Sequence, residues 1–434
     1  MTLAVIVIFF VGLLLLGMPI LVAMGVPALF YVIVKGFPPS FMTYSMIQSI
    51  DSFPYVAVPL FILLGKLFTE FGGTQRLFDF SRALLRDVKG YSAHVTNVAN
   101  LIMSGISGSA LAELGGLAEL EIKAMEDEGY SRSFAAALAA SAAINGPIFP
   151  PSIPLVIYAM LAEVSSVKSL IAGTVPGIVI TIFLAIYIVC VTPRKLKVKS
   201  SIGKAKTSEV KYAKKGFWRT TWDALPTLLA VPIILVGMIV GVFSPTEAAA
   251  AGVFYAIIVG LIHREFSFVR VLRALKETFI TVSSVMIIVA VGSFLTKVLT
   301  LERTPELVSS LLLNVFQNRI VILLVINIIL LILGMFMEGT CILVLMVPIL
   351  LPVTKAIGVD PIHLGIIMVY NVMIGLLTPP FGVGLYMVSG IAKMPPEEVL
   401  KELLPMFLPL VGTLMLLTYI PQFSLCLLPL LFQN

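Results

Sequence analysis

Charge is what this sequence has least of. Asp, Glu, Lys and Arg make up 12% of its 434 residues, where a soluble domain carries about a quarter. A soluble fold would have no way to hide the 59% that are apolar. Cysteine is nearly absent: Cys190, Cys341 and Cys426 are odd in number and lie in apolar surroundings. That excludes a disulfide framework and a CxxC metal site, and all three are expected in the core. No Lys or Arg precedes Lys35, so the first apolar run lacks the basic start of a signal peptide and reads as permanent membrane structure. His94, His263 and His363 are scattered without metal spacing and are expected at loops or interfaces. There is no GxxxxGKS/T phosphate loop, no HExxH and no GxSxG, which excludes ATP hydrolysis and the common hydrolytic chemistries: the chain is not read as an enzyme, and it needs no cofactor.

Long apolar runs are abundant. Leu3 to Val34, Leu225 to Phe243, Ile320 to Met337 and Phe407 to Leu431 meet or approach the roughly 20 residues that a bilayer core demands of a helix. The solvent is lipid bilayer, and the expected location is the bacterial inner membrane, crossed many times. The net charge of +6 is gathered in a few loops, so it reports topology and not nucleic-acid binding. Between Arg194 and Arg219 eight lysines face the single acid Glu209, which places that loop in the cytoplasm. Arg264, Arg270, Arg273 and Lys276 mark a second cytoplasmic stretch, Arg76, Arg82, Arg86 and Lys89 a third, and the charged run Glu119 to Arg132 a fourth. The weakly apolar segment 93–117 must therefore enter and leave on one side. Its Met103-Ser-Gly-Ile-Ser-Gly-Ser-Ala110 stretch is too rich in Gly and Ser for a lipid-facing span and reads as a re-entrant hairpin.

Adding 229 to positions in the first half aligns them with the second. Gly105, Gly129, Gly146, Pro150, Pro151 and Pro176 fall on Gly334, Gly358, Gly375, Pro379, Pro380 and Pro405. This implies a first repeat over 1–193 (hairpin about 93–117, broken helix about 134–160), a basic cytoplasmic linker over 194–220, and a second repeat over 221–434 (hairpin about 320–352, broken helix about 362–390). With five crossings per half the repeats are inverted, a plan shared by many secondary transporters. The expected fold is thus an all-α polytopic membrane protein with about ten spans and two re-entrant hairpins. It requires Leu3 to Val34 to be two short helices broken near Gly17-Met-Pro19, with both termini periplasmic. One long tilted helix with its N-terminus inside is the alternative.

Candidate chemistry sits where helices are interrupted. Ala143-Ile-Asn-Gly-Pro-Ile-Phe-Pro-Pro-Ser-Ile-Pro154 and Ile374-Gly-Leu-Leu-Thr-Pro-Pro-Phe-Gly-Val-Gly384 break otherwise apolar helices, freeing carbonyl oxygens. Freed carbonyls with Asn145, Gly146, Gly375 and Thr378 suit a hard cation such as sodium, and the amides of the following half-helix suit a carboxylate. The hairpin tips add Ser107, Gly108 and Ser109 in one half and Glu338, Gly339 and Thr340 in the other. Glu338 is an ionisable group in an apolar stretch and therefore a functional candidate. Sodium ligands are expected from Ser107, Ser109, Asn145, Gly146, Glu338, Thr340, Gly375 and Thr378. Substrate contacts are expected from Ser107, Gly108, Ser109, Ser152, Gly339, Thr340 and Gly382. Asn97, Asn100 and Asn371 are expected to tie helices together, Glu247 to favour its helix start, and Lys66 and Lys297 to snorkel.

Ser104-Gly-Ile-Ser-Gly-Ser-Ala110, Gly146-Pro-Ile-Phe-Pro-Pro-Ser-Ile-Pro154, Pro245-Thr-Glu-Ala-Ala249, Gly334-Met-Phe-Met-Glu338 and Gly375-Leu-Leu-Thr-Pro-Pro-Phe-Gly382 resemble, in order and spacing, the large membrane subunit of the TRAP (tripartite ATP-independent periplasmic) transporters. The resemblance implies an elevator-type carrier, similar to the ion transporter superfamily, that takes up small carboxylates such as C4-dicarboxylates or sialic acid with sodium. It further implies two partners on other chains, a small four-helix membrane subunit and a periplasmic solute-binding protein. Where that family commonly has Asp, this chain has Glu338. A stand-alone divalent-anion/sodium symporter, similar in fold but needing no partner, is the rival within transport.

Overall fold

The computed structural model describes residues 2–86, 88, 90–195, 217–316 and 318–432; most of the basic linker lies outside them. Gly and Pro set the element boundaries. In the first half the helices are α1 (Thr2–Leu15), α2 (Ile20–Val34), α3 (Ser40–Ile50), α4 (Ala57–Glu70), α5 (Gly73–Leu84), α6 (Tyr91–Ser107), α7 (Ala110–Glu128), α8 (Arg132–Ala143), α9 (Ile153–Leu161), α10 (Ser166–Ala172) and α11 (Thr174–Lys195). The second half holds α12 (Phe217–Ile239), α13 (Pro245–Ile262), α14 (Phe268–Leu301), α15 (Thr304–Val315), α16 (Arg319–Phe336), α17 (Gly339–Ala356), α18 (Pro361–Gly375), α19 (Val383–Ala392) and α20 (Pro396–Tyr419), before short turns to the end. The first apolar run is indeed two helices, parted at 16–19, and Phe9 meets Phe30 edge-on with ring centroids 6.0 Å apart.

Helix boundaries repeat with the same offset as the glycines and prolines. Shifted by 229, α6 covers 320–336 against Arg319–Phe336 for α16, and α7 covers 339–357 against Gly339–Ala356 for α17. The broken helix α8–α9 corresponds in the same way to α18–α19. Among the described residues eight helical stretches are long and apolar enough to cross a membrane, and α16 and α17 are two of them. Of these eight, α16 and α17 are hairpin arms, which leaves six; α1, α2 and the two broken helices bring the number to ten, but their pieces are individually too short to be counted, since at about 1.5 Å per residue a 15-residue helix spans only about 23 Å.

Two groups of helices can be traced in the packing, and they meet along α14–α17 and α5–α6. In one, α4 lies against α13 and α14, α12 against α5 and α13, and the 34-residue α14 touches α2, α3, α4 and α17. In the other, α7 packs on α6, α8 and α19, while α17 packs on α9 and α18. The helix after each break thus lies against the second arm of the other half's hairpin. Close approach is bought with glycine at Gly365, where an added Cβ would sit 2.5 Å from the Tyr158 ring. The outer surface is apolar: Ile178, Ile182, Ile186 and Val189 form an exposed stripe on α11, as expected for a lipid-facing helix.

One sequence expectation fails here. Only Cys341 is buried, whereas Cys190 and Cys426 are exposed, because apolar surroundings do not distinguish core from lipid face. Lys66 is ion-paired, its ammonium 2.8 Å from the Glu277 carboxylate on α14. Further ion pairs, Arg76 and Arg270 with Glu265 at 3.1 Å each, fasten α5 and the start of α14 to the loop after α13. Lys297 lies over the Phe41 and Tyr44 rings.

Candidate functional site

Each hairpin tip is held against the break of its own half. Helix α6 stops at Ser107 because Gly108 turns left-handed, with φ 61°, and Ser109 is extended and caps α7, accepting from the Ala112 amide at 3.5 Å. The Gly108 carbonyl accepts from the Ile153 amide at the start of α9, 3.4 Å away. A Cβ on Gly108 would fall 2.6 Å from the Pro151 carbonyl, so glycine alone permits this approach. Across the break, Ser152 caps α9, accepting from the Leu155 amide at 3.1 Å while donating to the Pro147 carbonyl. Pro150-Pro151 and its repeat-related Pro379-Pro380 are both cis.

The second half uses the same plan with other side chains. Glu338 caps α17; its carboxylate accepts from the Thr340 amide at 2.9 Å and the Thr340 hydroxyl at 3.2 Å. It stands at the position related by 229 to Ser109, the cap of α7. The Phe381 amide donates to the Met335 carbonyl at 3.2 Å, joining break to hairpin. Thr378 donates to the Ile374 carbonyl at 2.9 Å and accepts, through its own carbonyl, from the Gly382 amide at 3.2 Å. Gly375 and Gly334 meet backbone to backbone: a Cβ on Gly375 would lie 2.5 Å from the Gly334 Cα. Gly339 packs on Val372 and Met373.

The expected residues therefore fall into two sets. Ser107, Gly108, Ser109, Gly146 and Ser152 converge on the first seam; Glu338, Gly339, Thr340, Gly375, Thr378 and Gly382 line the second. No hydrogen bond among the described residues joins the sets. The Asn145 amide donates at 3.0 Å to the Thr181 hydroxyl on α11, and its buried Oδ1, the atom a cation would use, has no partner. Asn97 reaches the Thr181 carbonyl at 2.8 Å, Asn371 reaches Asn327 at 2.7 Å, and Asn327 reaches the Thr418 hydroxyl at 3.0 Å. His363 adds a contact to the Thr418 carbonyl at 3.3 Å, between α18 and α20. Ser244 and Glu247 form a reciprocal capping box at the start of α13.

The sequence reading passed over Glu113. It is fully buried, its Oε1 accepts from the Ser107 hydroxyl at 2.6 Å, and its Oε2 has no partner. A Cβ on Gly146 would lie 2.7 Å from that Oε1, so glycine lets the carboxylate rest directly on the break. One turn past a Ser-Gly-Ser tip, an acid facing back at the first serine was the available signal.

A family model, the DctM component of the tripartite ATP-independent periplasmic transporter, matches residues 6–423. The chain belongs to this family. The permease is 37% identical over 425 residues to the sialic acid TRAP transporter large permease SiaM of Vibrio cholerae, covering 97% of each chain. It is 34% identical to the isethionate TRAP permease DctMQ of Oleidesulfovibrio alaskensis, with 95% of this chain against 64% of that one. To the C4-dicarboxylate permease DctM of Pseudomonas aeruginosa it is 32% identical over 89% and 88% of the two chains. The fold is also that of the YdaH transporter of Alcanivorax borkumensis, with a TM-score of 0.63, 14% identity and coverage of 88% and 89%. The protein is thus a multi-pass inner-membrane transport permease, one component of a larger system, and not an enzyme.

Proposed function

We propose that this permease carries a small organic anion, a carboxylate or closely related acid, into the cell with sodium as coupling ion. The anion would be delivered by a periplasmic solute-binding protein and the membrane part completed by a small four-helix subunit. Relatives are named for sialic acid, C4-dicarboxylates and the sulfonate isethionate, so what they share is a compact oxyanion. The observation that carries the reading is the first seam: a buried carboxylate oxygen without a partner on Glu113, beside Ser107, Ser109 and the Gly146 break. A buried unpaired carboxylate is costly, and a hard cation with oxygen ligands relieves that cost. Sodium here would be held by Glu113, Ser107 and carbonyls of the seam. In the other half Glu338, Thr340, Gly375 and Thr378 would hold sodium, and the amides at both tips would meet the anion.

The two repeats are read as inverted, and the hairpins with their broken helices as re-entrant elements of one body that travels against a scaffold built on α4, α12, α13 and α14. Reconstitution with and without the two partner subunits tests the whole reading: sodium-dependent uptake should appear only with both. Uptake by this chain alone would establish a stand-alone symporter instead. Ser109→Ala combined with Thr378→Ala should raise the sodium concentration needed. The travelling body has its own test at α14 and α17, where a Cβ on Gly292 lies 3.3 Å from the Val344 Cβ, close to the ~3.5–4.5 Å of a disulfide. Oxidising Gly292→Cys/Val344→Cys should stop uptake and reduction restore it; undiminished uptake by the fully cross-linked protein excludes an elevator.

A further inference from the structure

Both tryptophans of the chain stand at one corner. Trp218 and Trp222 lie one turn apart on α12, 74% and 68% exposed, and the sequence has no third. By the charge rule this corner is the cytoplasmic rim, since α12 follows the basic linker and α13 returns to the same side. No Asp, Glu, Lys or Arg occurs between Asp223 and Glu247, or between Glu247 and Arg264. The uncharged parts of both helices therefore end at one level, marked by Asp223 on α12 and by Arg264 just past α13. A contact fixes that level: the His263 Nε2 lies 3.1 Å from the Asp223 carbonyl oxygen. Arg219, four residues before Asp223, stands on the same side of α12.

The glutamates near this rim are already engaged. Arg76 and Arg270 hold Glu265 at 3.1 Å each, Arg273 lies 3.5 Å from Glu70, and Lys66 lies 2.8 Å from Glu277. Arg219 and Arg264 are exposed, and neither makes an ion pair among the described residues. Two guanidiniums without an acid therefore share the rim with two uncovered indoles. An indole has an apolar body and a polar N–H, and it settles where headgroups meet acyl chains. A guanidinium pairs with phosphate through parallel N–H bonds. The combination fits a phospholipid, and one of net negative charge above all: a zwitterionic headgroup carries its own ammonium, which competes with the arginines for the phosphate.

We propose that this corner, Trp218, Arg219 and Trp222 on α12 with Arg264 after α13, is a binding site for an anionic phospholipid of the cytoplasmic leaflet. The arginines take the phosphate and the indoles lie along the glycerol and upper acyl region. Orientation in the membrane does not call for these two arginines, because the eight lysines between Arg194 and Arg219 already set it. The lipid joins the ends of α12 and α13 at the membrane surface, away from the hairpin tips. Binding needs neither substrate nor coupling ion, so it stands apart from the uptake reading above.

Intrinsic fluorescence reads the site directly, because no tryptophan lies elsewhere. The full-length permease is placed in phosphatidylcholine nanodiscs that carry the same minor fraction of either brominated phosphatidylglycerol or brominated phosphatidylcholine, bromine quenching an indole only at contact. The anionic quencher should act at least about threefold more strongly, within the roughly fivefold enrichment that one basic residue gives near an anionic leaflet. Arg219→Gln/Arg264→Gln should bring the two quenchers to parity while leaving the unquenched emission as it was; both side chains are exposed and unpaired, so their loss does not disturb the fold. Parity in the unsubstituted protein would mean that the arginines serve orientation alone, and a preference that survives the double substitution would place the lipid elsewhere; either overturns the proposal. Relief of quenching by inorganic phosphate would assign the site to a soluble anion, and relief on co-purification with the small membrane subunit would assign the face to a protein. Each of these overturns it as well.

Discussion

The two hairpins share a backbone plan and differ in what joins their arms. In the first, three acids on α7 are met by polar groups on α6: Ser107 at Glu113, Asn100 at Glu121, and the Ser92 amide and hydroxyl at Glu128. The related positions in the second are Phe336 and Ile342, Ile329 and Leu350, Val321 and Ile357. The second hairpin keeps one carboxylate, Glu338, and places it at the tip as a helix cap. The arms of the second hairpin carry no such acids and touch each other less extensively than those of the first, so the acids of the first hairpin join its arms as well as standing ready for chemistry. The halves also divide that chemistry: a buried carboxylate behind the tip in one, a capping carboxylate on the tip in the other.

The sharpest way to break this contrast is to make the first tip resemble the second. Glu113→Leu removes the buried carboxylate and strands the Ser107 hydroxyl. Losing a hydrogen bond to a charged group costs about 1.5–3 kcal/mol, roughly ten- to a hundredfold in binding. Sodium-dependent uptake should fall by at least about tenfold, whereas Ile342→Leu at the related position should leave it within about twofold. Equal effects at the two sites would mean that packing, and not charge, matters at Glu113.

A smaller effect is expected from the glycines that let each break touch its hairpin. Gly375→Ala drives a methyl into the Gly334 backbone, with Cα at 2.5 Å and carbonyl carbon at 2.7 Å. Overpacking of this kind costs about 1–3 kcal/mol, so the thermal midpoint of the purified protein should drop by several degrees. Gly146→Ala meets the Glu113 carboxylate at 2.7 Å, but also the Ser109 carbonyl carbon at 2.9 Å. It should combine a comparable loss of stability with a raised sodium requirement. A Gly146→Ala protein of normal midpoint and unaltered sodium dependence would show that the first seam is looser than its distances imply.

Much of this plan was legible beforehand, because interruptions write themselves in Gly and Pro. The breaks at 16–19, 144–152 and 376–382, and the turn at Gly108, fall where left-handed glycines or prolines force the helix to stop. The rungs were not legible. Glu113, Glu119, Glu121, Glu126, Asp127 and Glu128 form a charged run, and such a run ordinarily marks a solvated face. Only the packing of α6, α8 and α19 around α7 buries Glu113 and Glu121 while leaving Glu128 exposed. The partner of Lys66 was out of view for the same reason, since Glu277 lies 211 positions away. Cys190 and Cys426 show the converse: in lipid an apolar neighbourhood carries no information about depth in the fold.

The smallest effect concerns the one polar feature that both halves share. In each, an asparagine of the first hairpin arm and an asparagine of the broken helix are tied to a threonine of a later helix or to each other. Asn97 and Asn145 both reach Thr181, while Asn371 reaches Asn327, which reaches Thr418. The positions are not related by 229, since Asn97 falls on Ile326 and Asn145 on Ile374. The two halves have therefore arrived at the same bracing with different residues, as expected if the brace holds hairpin, break and following helix as one rigid unit. Side-chain hydrogen bonds between membrane helices are worth about 0.6 kcal/mol on average. Asn327→Leu strands the Asn371 amide and the Thr418 hydroxyl, so it should cost about twice that and lower the thermal midpoint by a few degrees, with the sodium requirement unchanged. Asn97→Leu should do the same, because Asn145 keeps its own bond to the Thr181 hydroxyl. If Asn97→Leu instead changed the sodium requirement while Asn327→Leu did not, the first brace would belong to the cation seam, and the division between bracing and binding drawn from the two hairpins would hold only in the second half.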